Sequence, residues 1–474
     1  MDGNKELFET MPVAKALTKM AIPTIISQLI TMIYNLADTY FIGRTNNPYM
    51  VAAASLSYVL FFILTALSNL FGVGGGSQIS RLLGERRYEE AKKVCSFSFY
   101  GTIGISLLYS LACLMFMNPL LTLLGATENT LAYSRQYTLW VIVAGGVPSC
   151  LSMTMAHLLR SEGYARYASY GLSGGGILNM ILDPLFMFVI MAPGQEVTGA
   201  ALATMLSNCV ALCYFAFMFF RLRKDTVLCL SPHMMAPGKS SVRAVFAVGI
   251  PSAIGSLMSC LSNTVVNKLT SGYNDFAVAA MGIVKKVDML PMNVGMGLCQ
   301  AMVPMVAYNY STKNYQRMKA FTNAARLSGV IFAGICIVMM EVFAPPGDYV
   351  VHQRWGDDTI RHGLSADQCV GHAADDLQFP DELYIPGHGK RGGIPAPYLL
   401  PAGDYQHSSA VSHELACRAV RHHLDTAFGR QHYRHHFLYA VSQNNEKTDG
   451  VSSGMSFSKC PFSFNNQAKK APHF

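Results

Sequence analysis

Charge is scarce in this sequence. Only 14% of its 474 residues are Asp, Glu, Lys or Arg, against about a quarter in a soluble domain. Apolar residues make up 51%. That balance excludes an ordinary water-soluble globule and points to a bilayer. Paired-thiol motifs are also missing, since no CxxC occurs among the twelve cysteines. Most of the cysteines before residue 340 fall inside apolar stretches, where they read as small buried hydrophobes rather than as a disulfide or zinc framework. There is no P-loop, no dinucleotide fingerprint and no catalytic constellation. The chain is therefore read as a non-enzyme with no cofactor. The N-terminus "MDGNKELFETMPVAKALTKM" lacks the basic-then-apolar form of a signal peptide, so the first apolar stretch is expected to stay as a helix. The net charge of +8 is modest. It suits basic loops at an acidic membrane leaflet better than a nucleic-acid surface, and no nucleic-acid partner is expected.

What the sequence does hold is long apolar runs. Nine stretches are long enough to cross a bilayer at about 20 residues each, near 17–41, 51–76, 95–118, 133–157, 168–192, 198–221, 244–268, 277–307 and 320–343. Basic residues collect in alternate connections. Arg81, Arg86, Arg87, Lys92 and Lys93 follow the second stretch, Arg160 and Arg166 the fourth, Arg221, Arg223, Lys224, Lys239 and Arg243 the sixth, and Lys313, Arg317 and Lys319 the eighth. Arg44 is the only basic residue in the connections 42–50, 119–130 and 193–197. The positive-inside rule then places the N-terminus in the cytoplasm and the chain in the cell membrane as a multi-pass protein. Arg81 and its neighbours read as a solvated basic loop.

The sequence also repeats. "AIPTIISQLITMIYNLADTYF" opens the first stretch and "GIPSAIGSLMSCLSNTVVNKL" the seventh; "LGERRYEEAKK" follows the second and "YSTKNYQRMKA" the eighth. Both pairs are offset by 227 or 228 residues. Two six-helix bundles in parallel repeat would produce this pattern, which is a mark of transporters. The motifs "YNLADTYFIG", "GGGSQISRLLGERRYEEAKK", "LLRSEGYAR", "LNMILDPLF" and "GAALATM" occur in order on the expected stretches. Together they resemble the multidrug and toxic compound extrusion (MATE) family of bacterial and archaeal type, over residues 10–345. The resemblance implies an all-α polytopic membrane protein of twelve helices in two lobes, exporting small organic cations in exchange for H+ or Na+. The expected organisation is a first six-helix lobe at 1–224, an interlobe linker at 225–243, three helices of a second lobe at 244–345, and a tail at 346–474. A monomer in the lipid bilayer is expected. A lipid-linked precursor flippase of related fold is the alternative, and it would be expected to line its cavity with basic groups.

The tail is of a different character. Residues 346–474 hold twelve of the fourteen histidines and no spanning stretch. Read from the second base of each codon, residues 379–391, "FPDELYIPGHGKR", permit F-L-M-N-Y-T-F-Q-A-M-G-K-G. Residues 413–426, "HELACRAVRHHLDT", permit M-N-W-L-V-G-L-Y-G-I-I-W-T-Q. "QAMGKG" and "GLYGIIWTQ" fall where the repeat calls for partners to "LRSEGYAR" and "TGAALATM". An Ile/Met-rich helix read out of frame turns rich in His, Asp and Tyr. Pro345-Pro346-Gly347 is encoded by a C/G run where a base is easily gained. The tail therefore reads as a frameshifted, disordered translation of the last three helices, and the chain as written is expected to be inactive. The rival is a His-rich metal-binding segment using His422, His423, His432, His435 and His436; it lacks an amphipathic frame to hold such ligands.

Within the apolar runs, Asp38 is the first functional candidate, because a carboxylate in a membrane costs a few kcal/mol. The directions of the stretches bring Asp38, Asp183 and Thr204 to similar depth, and Asn179 shares a helix face with Asp183 at i, i+4. These four make an oxygen-rich pocket fit for sodium or for a shared proton, and the resemblance implies the same four as the cation-coupling site. Gln28, Tyr34, Asn35, Tyr137, Lys285 and Asp288 are candidate cavity-lining residues, with Lys285 and Asp288 able to pair with each other at i, i+3. Pro23 is a candidate helix bend. No metal-ligand set is read in the membrane part.

Overall fold

The protein is described from a computed structural model that covers residues 2–224, 226–271 and 275–355. The side chains of 2–5, 263–288, 337 and 340–355 lie outside that description. All of the described secondary structure is helical. In chain order the helices are α1 (Asp2–Glu9), α2 (Val13–Gly43), α3 (Pro48–Gly84), α4 (Tyr88–Met115), α5 (Met117–Leu123), α6 (Glu128–Thr138), α7 (Gly146–Ser161), α8 (Ala165–Leu185), α9 (Glu196–Leu222), α10 (Lys239–Ser271), α11 (Asp275–Ser311) and α12 (Tyr315–Trp355). Among the described residues, seven helices are long and apolar enough to span a bilayer. The α6–α7 pair makes an eighth if taken as one span, bent by 48° at its break. The ninth stretch expected near 320–343 is helical within α12, which runs on to Trp355, past the expected start of the tail at 346. Residues 356–474, with most of the tail and its histidines, lie outside the described residues.

Local chemistry sets the helix ends. Asn47 caps α3 by accepting from the Tyr49 N–H at 3.0 Å, with Pro48 at the first helical position, where its missing N–H costs nothing. Gly163 closes α7 at φ 90°, a conformation that a side chain resists. The connections after α3 and after α11 are copies of one another. Arg86 and Lys313 each take φ 59°. Arg87 N–H donates to Leu82 O at 2.8 Å and Asn314 N–H to Asn309 O at 3.0 Å. The same turn thus recurs at the offset of the sequence repeat, and prolines recur inside helices at the matching positions Pro23 and Pro251. α2 continues through Pro23 as one unbroken helix.

The outer faces are apolar. Leu107, Leu108, Leu111 and Leu114 on α4 are exposed, as are Phe217 and Phe220 on α9 and Ile177 and Ile181 on α8. A row of leucine and phenylalanine facing outward suits lipid and not water. The interior is held by small polar groups as well as by apolar ones. Ser68 pairs with Thr154 at 3.2 Å, Thr102 with Thr154 at 3.2 Å and Ser57 with Thr138 at 3.0 Å, all buried. Between helices in a membrane, such close contacts of small residues supply the packing that a hydrophobic drive supplies in water.

The later helices pack on the first bundle along a seam made by α2 and α3 on one side and α10 and α11 on the other. Glycines let the backbones meet there. A Cβ on Gly249 would collide with the Leu70 carbonyl, and one on Gly297 would come within 2.8 Å of the Ile25 Cα. Asn69 Nδ2 donates across the seam to Ser256 Oγ at 2.9 Å. Phe71, Phe97 and Phe246 interlock edge to face beside it. At one end of the seam α1 is tied down: Tyr308 Oη donates to Glu9, and Arg317 donates to the Phe8 carbonyl at 2.7 Å.

Candidate functional site

Asp38, Asn179, Asp183 and Thr204 come from three helices, α2, α8 and α9, and the fold brings them to one place. Asn179 is the hub. Its Nδ2 donates to Asp183 Oδ1 at 3.2 Å and to Thr204 Oγ1 at 3.3 Å. Asp183 is fully buried and Asn179 nearly so. Asp38 is reached from the other side, where Tyr137 Oη donates to its Oδ2 at 3.4 Å. Asp38 and Asp183 lie within electrostatic reach of each other, and Tyr34 and Tyr137 lie within reach of both. Two acids, an amide, a threonine hydroxyl and two phenols thus gather in one polar cluster, with Asn179, Asp183 and Tyr137 buried and the others half-buried.

The hydrogen bonds do not satisfy this cluster. Asp38 Oδ1, Asn179 Oδ1 and Asp183 Oδ2 are buried with no hydrogen-bond partner. Leaving a buried acceptor unmet costs about 1–3 kcal/mol, more for a charged one. All three orphans are oxygens, so what would relieve them is a proton or a hard cation. A set of carboxylate, amide and hydroxyl oxygens suits sodium as well.

The helices near the site are irregular where they carry it. A π-helical turn spans Leu139–Ala144, just after Tyr137, and another spans Phe186–Ile190, just after Asp183 and Pro184. Wide turns of this kind interrupt regular helices, often at functional positions. Pro184 removes a donor from its turn. Close packing then fixes the ring and the helix. Tyr34 lies against Gly176, where a Cβ would meet its ring at 2.8 Å, and Gly199 leaves room for the Phe186 backbone.

The other sequence candidates fall differently. Tyr34 and Tyr137 belong to the pocket. Asn35 is half-buried on α2 beside Tyr34, and its carbonyl accepts from Thr39. Gln28 is half-buried on α2, about 15 Å along the helix from Asp38 at 1.5 Å per residue. The side chains of Lys285 and Asp288 lie outside the described residues. The sequence also sets Arg160 and Arg81 among loop basic residues, and the structure corrects both. Arg160 ends α7 and is 2% exposed. Arg81 lies in the last turn of α3, half-buried, with its guanidinium 5.3 Å from the Tyr310 ring centre across the seam. A basic residue at a helix end looks the same in sequence whether it faces water or a packed neighbour.

Comparison with known proteins bears on the whole arrangement. Residues 23–185 and 251–351 match the sequence model of the MatE family. A multidrug export protein, MepA, of Staphylococcus aureus strain MRSA252 is 35% identical over 332 residues, covering 70% of this chain and 72% of its own. MepA of Staphylococcus saprophyticus is 33% identical over 333 residues, again 70% and 72%. Among solved structures, a MATE protein in the straight conformation superposes with a TM-score of 0.72 at 22% identity, covering 81% of this chain and 86% of that one. An outward-facing multidrug resistance MATE transporter gives 0.70 at 23% identity, with 81% and 86% covered.

Proposed function

The chain belongs to the MATE family of multidrug efflux transporters, and from that premise we propose that it is a secondary antiporter exporting organic cations in exchange for H+ or Na+. The observation that carries this is the group of unmet buried oxygens on Asp38, Asn179 and Asp183. In an apolar bundle such a group is stable only when a cation or proton is supplied, and supplying and removing it is what an antiporter must couple to substrate. The cation would occupy the first lobe, substrate would leave, and the lobes would rock about the seam. The glycine contacts of α3 with α10 and of α2 with α11 suit a seam that opens and closes. In this reading the N-terminus lies in the cytoplasm, which the basic connections support, and the protein acts as a monomer. The acidic pocket argues against the flippase alternative, which calls for basic lining.

Residues from about 346 onward are proposed to be an out-of-frame translation. The family match ends at 351, close to the Pro345-Pro346-Gly347 run. The chain as written would then lack three helices of its second lobe and would not transport.

The test of the site is Asp38→Asn in the frame-repaired protein. Asparagine keeps the size and can still accept from Tyr137, but it offers neither negative charge nor a proton site. Ion-driven efflux should fall to background with membrane levels unchanged. Wild-type efflux at matched protein levels would remove Asp38 from the coupling role.

A further inference from the structure

A cavity at the seam is lined by none of the residues of the acidic cluster. It has a volume of about 30 Å³ and is lined by Ser77 of α3, His157, Arg160 and Ser161 of α7, and Gln300 of α11, with small apolar neighbours. Both bundles thus contribute to it. Arg160 is 2% exposed and Ser77 1%. Arg160 Nε and Nη2 and Ser77 Oγ are buried and have no hydrogen-bond partner. Glu162, the nearest carboxylate in sequence, accepts from the Val227 N–H at 3.4 Å instead. Arg81, one turn beyond Ser77, also has Nε and Nη2 without a hydrogen-bond partner, but its guanidinium lies 5.3 Å from the Tyr310 ring centre.

A guanidinium stays protonated in proteins. Buried without a counter-charge it costs several kcal/mol, and an unpaired buried charge is the costly case. Arg160 is the one fixed charge in the lining; Ser77, Gln300, His157 and Ser161 can each donate or accept, and no carboxylate lines the cavity. What the lining lacks is an acceptor with negative charge. The space open to the centre of a water-sized guest is about 30 Å³, more than the roughly 10–15 Å³ that one water needs on that measure, so the cavity has room for a small anion. We propose that Arg160 and Ser77, with Gln300 of the second bundle beside them, form a binding site for a small monovalent anion such as chloride, whose single charge offsets that of Arg160 and which bridges the seam.

This site is separate from the coupling pocket, and its test needs no transport. The full chain, purified in detergent, is heated in sodium chloride and in sodium gluconate at equal sodium and ionic strength. The apparent Tm should rise saturably with chloride and with bromide, and not with gluconate or sulfate. Arg160→Gln should abolish the response. Ser77→Ala, a milder change that keeps the packing, should raise the chloride midpoint about tenfold or more, the loss expected for one hydrogen bond to a charged group. Equal Tm in chloride and gluconate would overturn the proposal, because a neutral water then fills the cavity. So would a Ser77→Ala midpoint equal to the wild type's, which decides the matter if Arg160→Gln does not fold.

Discussion

Asn179 joins two helices with one amide group, and much of the site turns on it. Its donor side is spent on Asp183 and Thr204, at 3.2 and 3.3 Å, which leaves its oxygen free for a guest. Thr204 therefore acts through Asn179 as well as by its own oxygen. Thr204→Val keeps the shape and deletes the hydroxyl. In the frame-repaired protein it should weaken the apparent affinity for the coupling ion by about 3- to 10-fold, the worth of one neutral hydrogen bond, as measured from the ion dependence of efflux. Thr204→Ser should restore it, and a valine variant with unchanged ion dependence would show that Thr204 only packs. These residues could be read from the sequence because Asp38 and Asp183 interrupt apolar runs, where a charge is expensive enough to need a reason. Arg160 could not. A cation at the end of an apolar stretch is the ordinary sign of a loop, and only the packing of α3, α7 and α11 shows that this one is enclosed.

The helices were legible as long apolar runs, but some bounds were missed widely: α3 runs on to Gly84 where 76 was expected, and α12 to Trp355 where 343 was expected. Two features escaped. The fourth span is broken at Gly145, and the chain between α6 and α7 passes through a π-helical turn. A single wide turn leaves no periodic trace when every face of a helix is apolar, and Gly145-Gly146 and Pro184 are the only local hints. The short helices α1 and α5 carry too few residues to be read as spans. The seam between α3 and α10 was hidden for a different reason: glycines are common in both helices, and only the fold tells a glycine that faces a backbone from one that faces open space. Gly249→Ala puts a methyl into the Leu70 carbonyl, whereas Gly104 has nothing within 4 Å of its would-be Cβ. Gly249→Ala should cost about 1–3 kcal/mol of stability through overpacking and lower the apparent Tm of the detergent-solubilised protein. Gly104→Ala should leave the Tm unchanged or raise it slightly, as alanine favours a helix over glycine. Equal behaviour of the two variants would mean that the seam is loose.

The molecule repeats itself, and the structure carries the repeat down to hydrogen bonds. The turn at Arg86 and the turn at Lys313 share their positive φ and their backbone pairing. The sequence showed that repeat as a pattern of residues; the shared turn gives its physical content. The first six spans hold the polar pocket, and the seam ties them to α10 and α11. An exchange cycle needs the whole second lobe to rock against the first, so the proposed tail matters as much as the proposed pocket. The decisive measurement takes the chain as written and the chain with one base removed near codon 346, each reconstituted in vesicles without ATP. A fluorescent organic cation is followed while a pH or sodium gradient is imposed. The repaired chain should move the cation against its own gradient only while the ion gradient lasts, and the chain as written should not move it at all. Movement without any ion gradient, or equal movement by the two chains, would contradict the account.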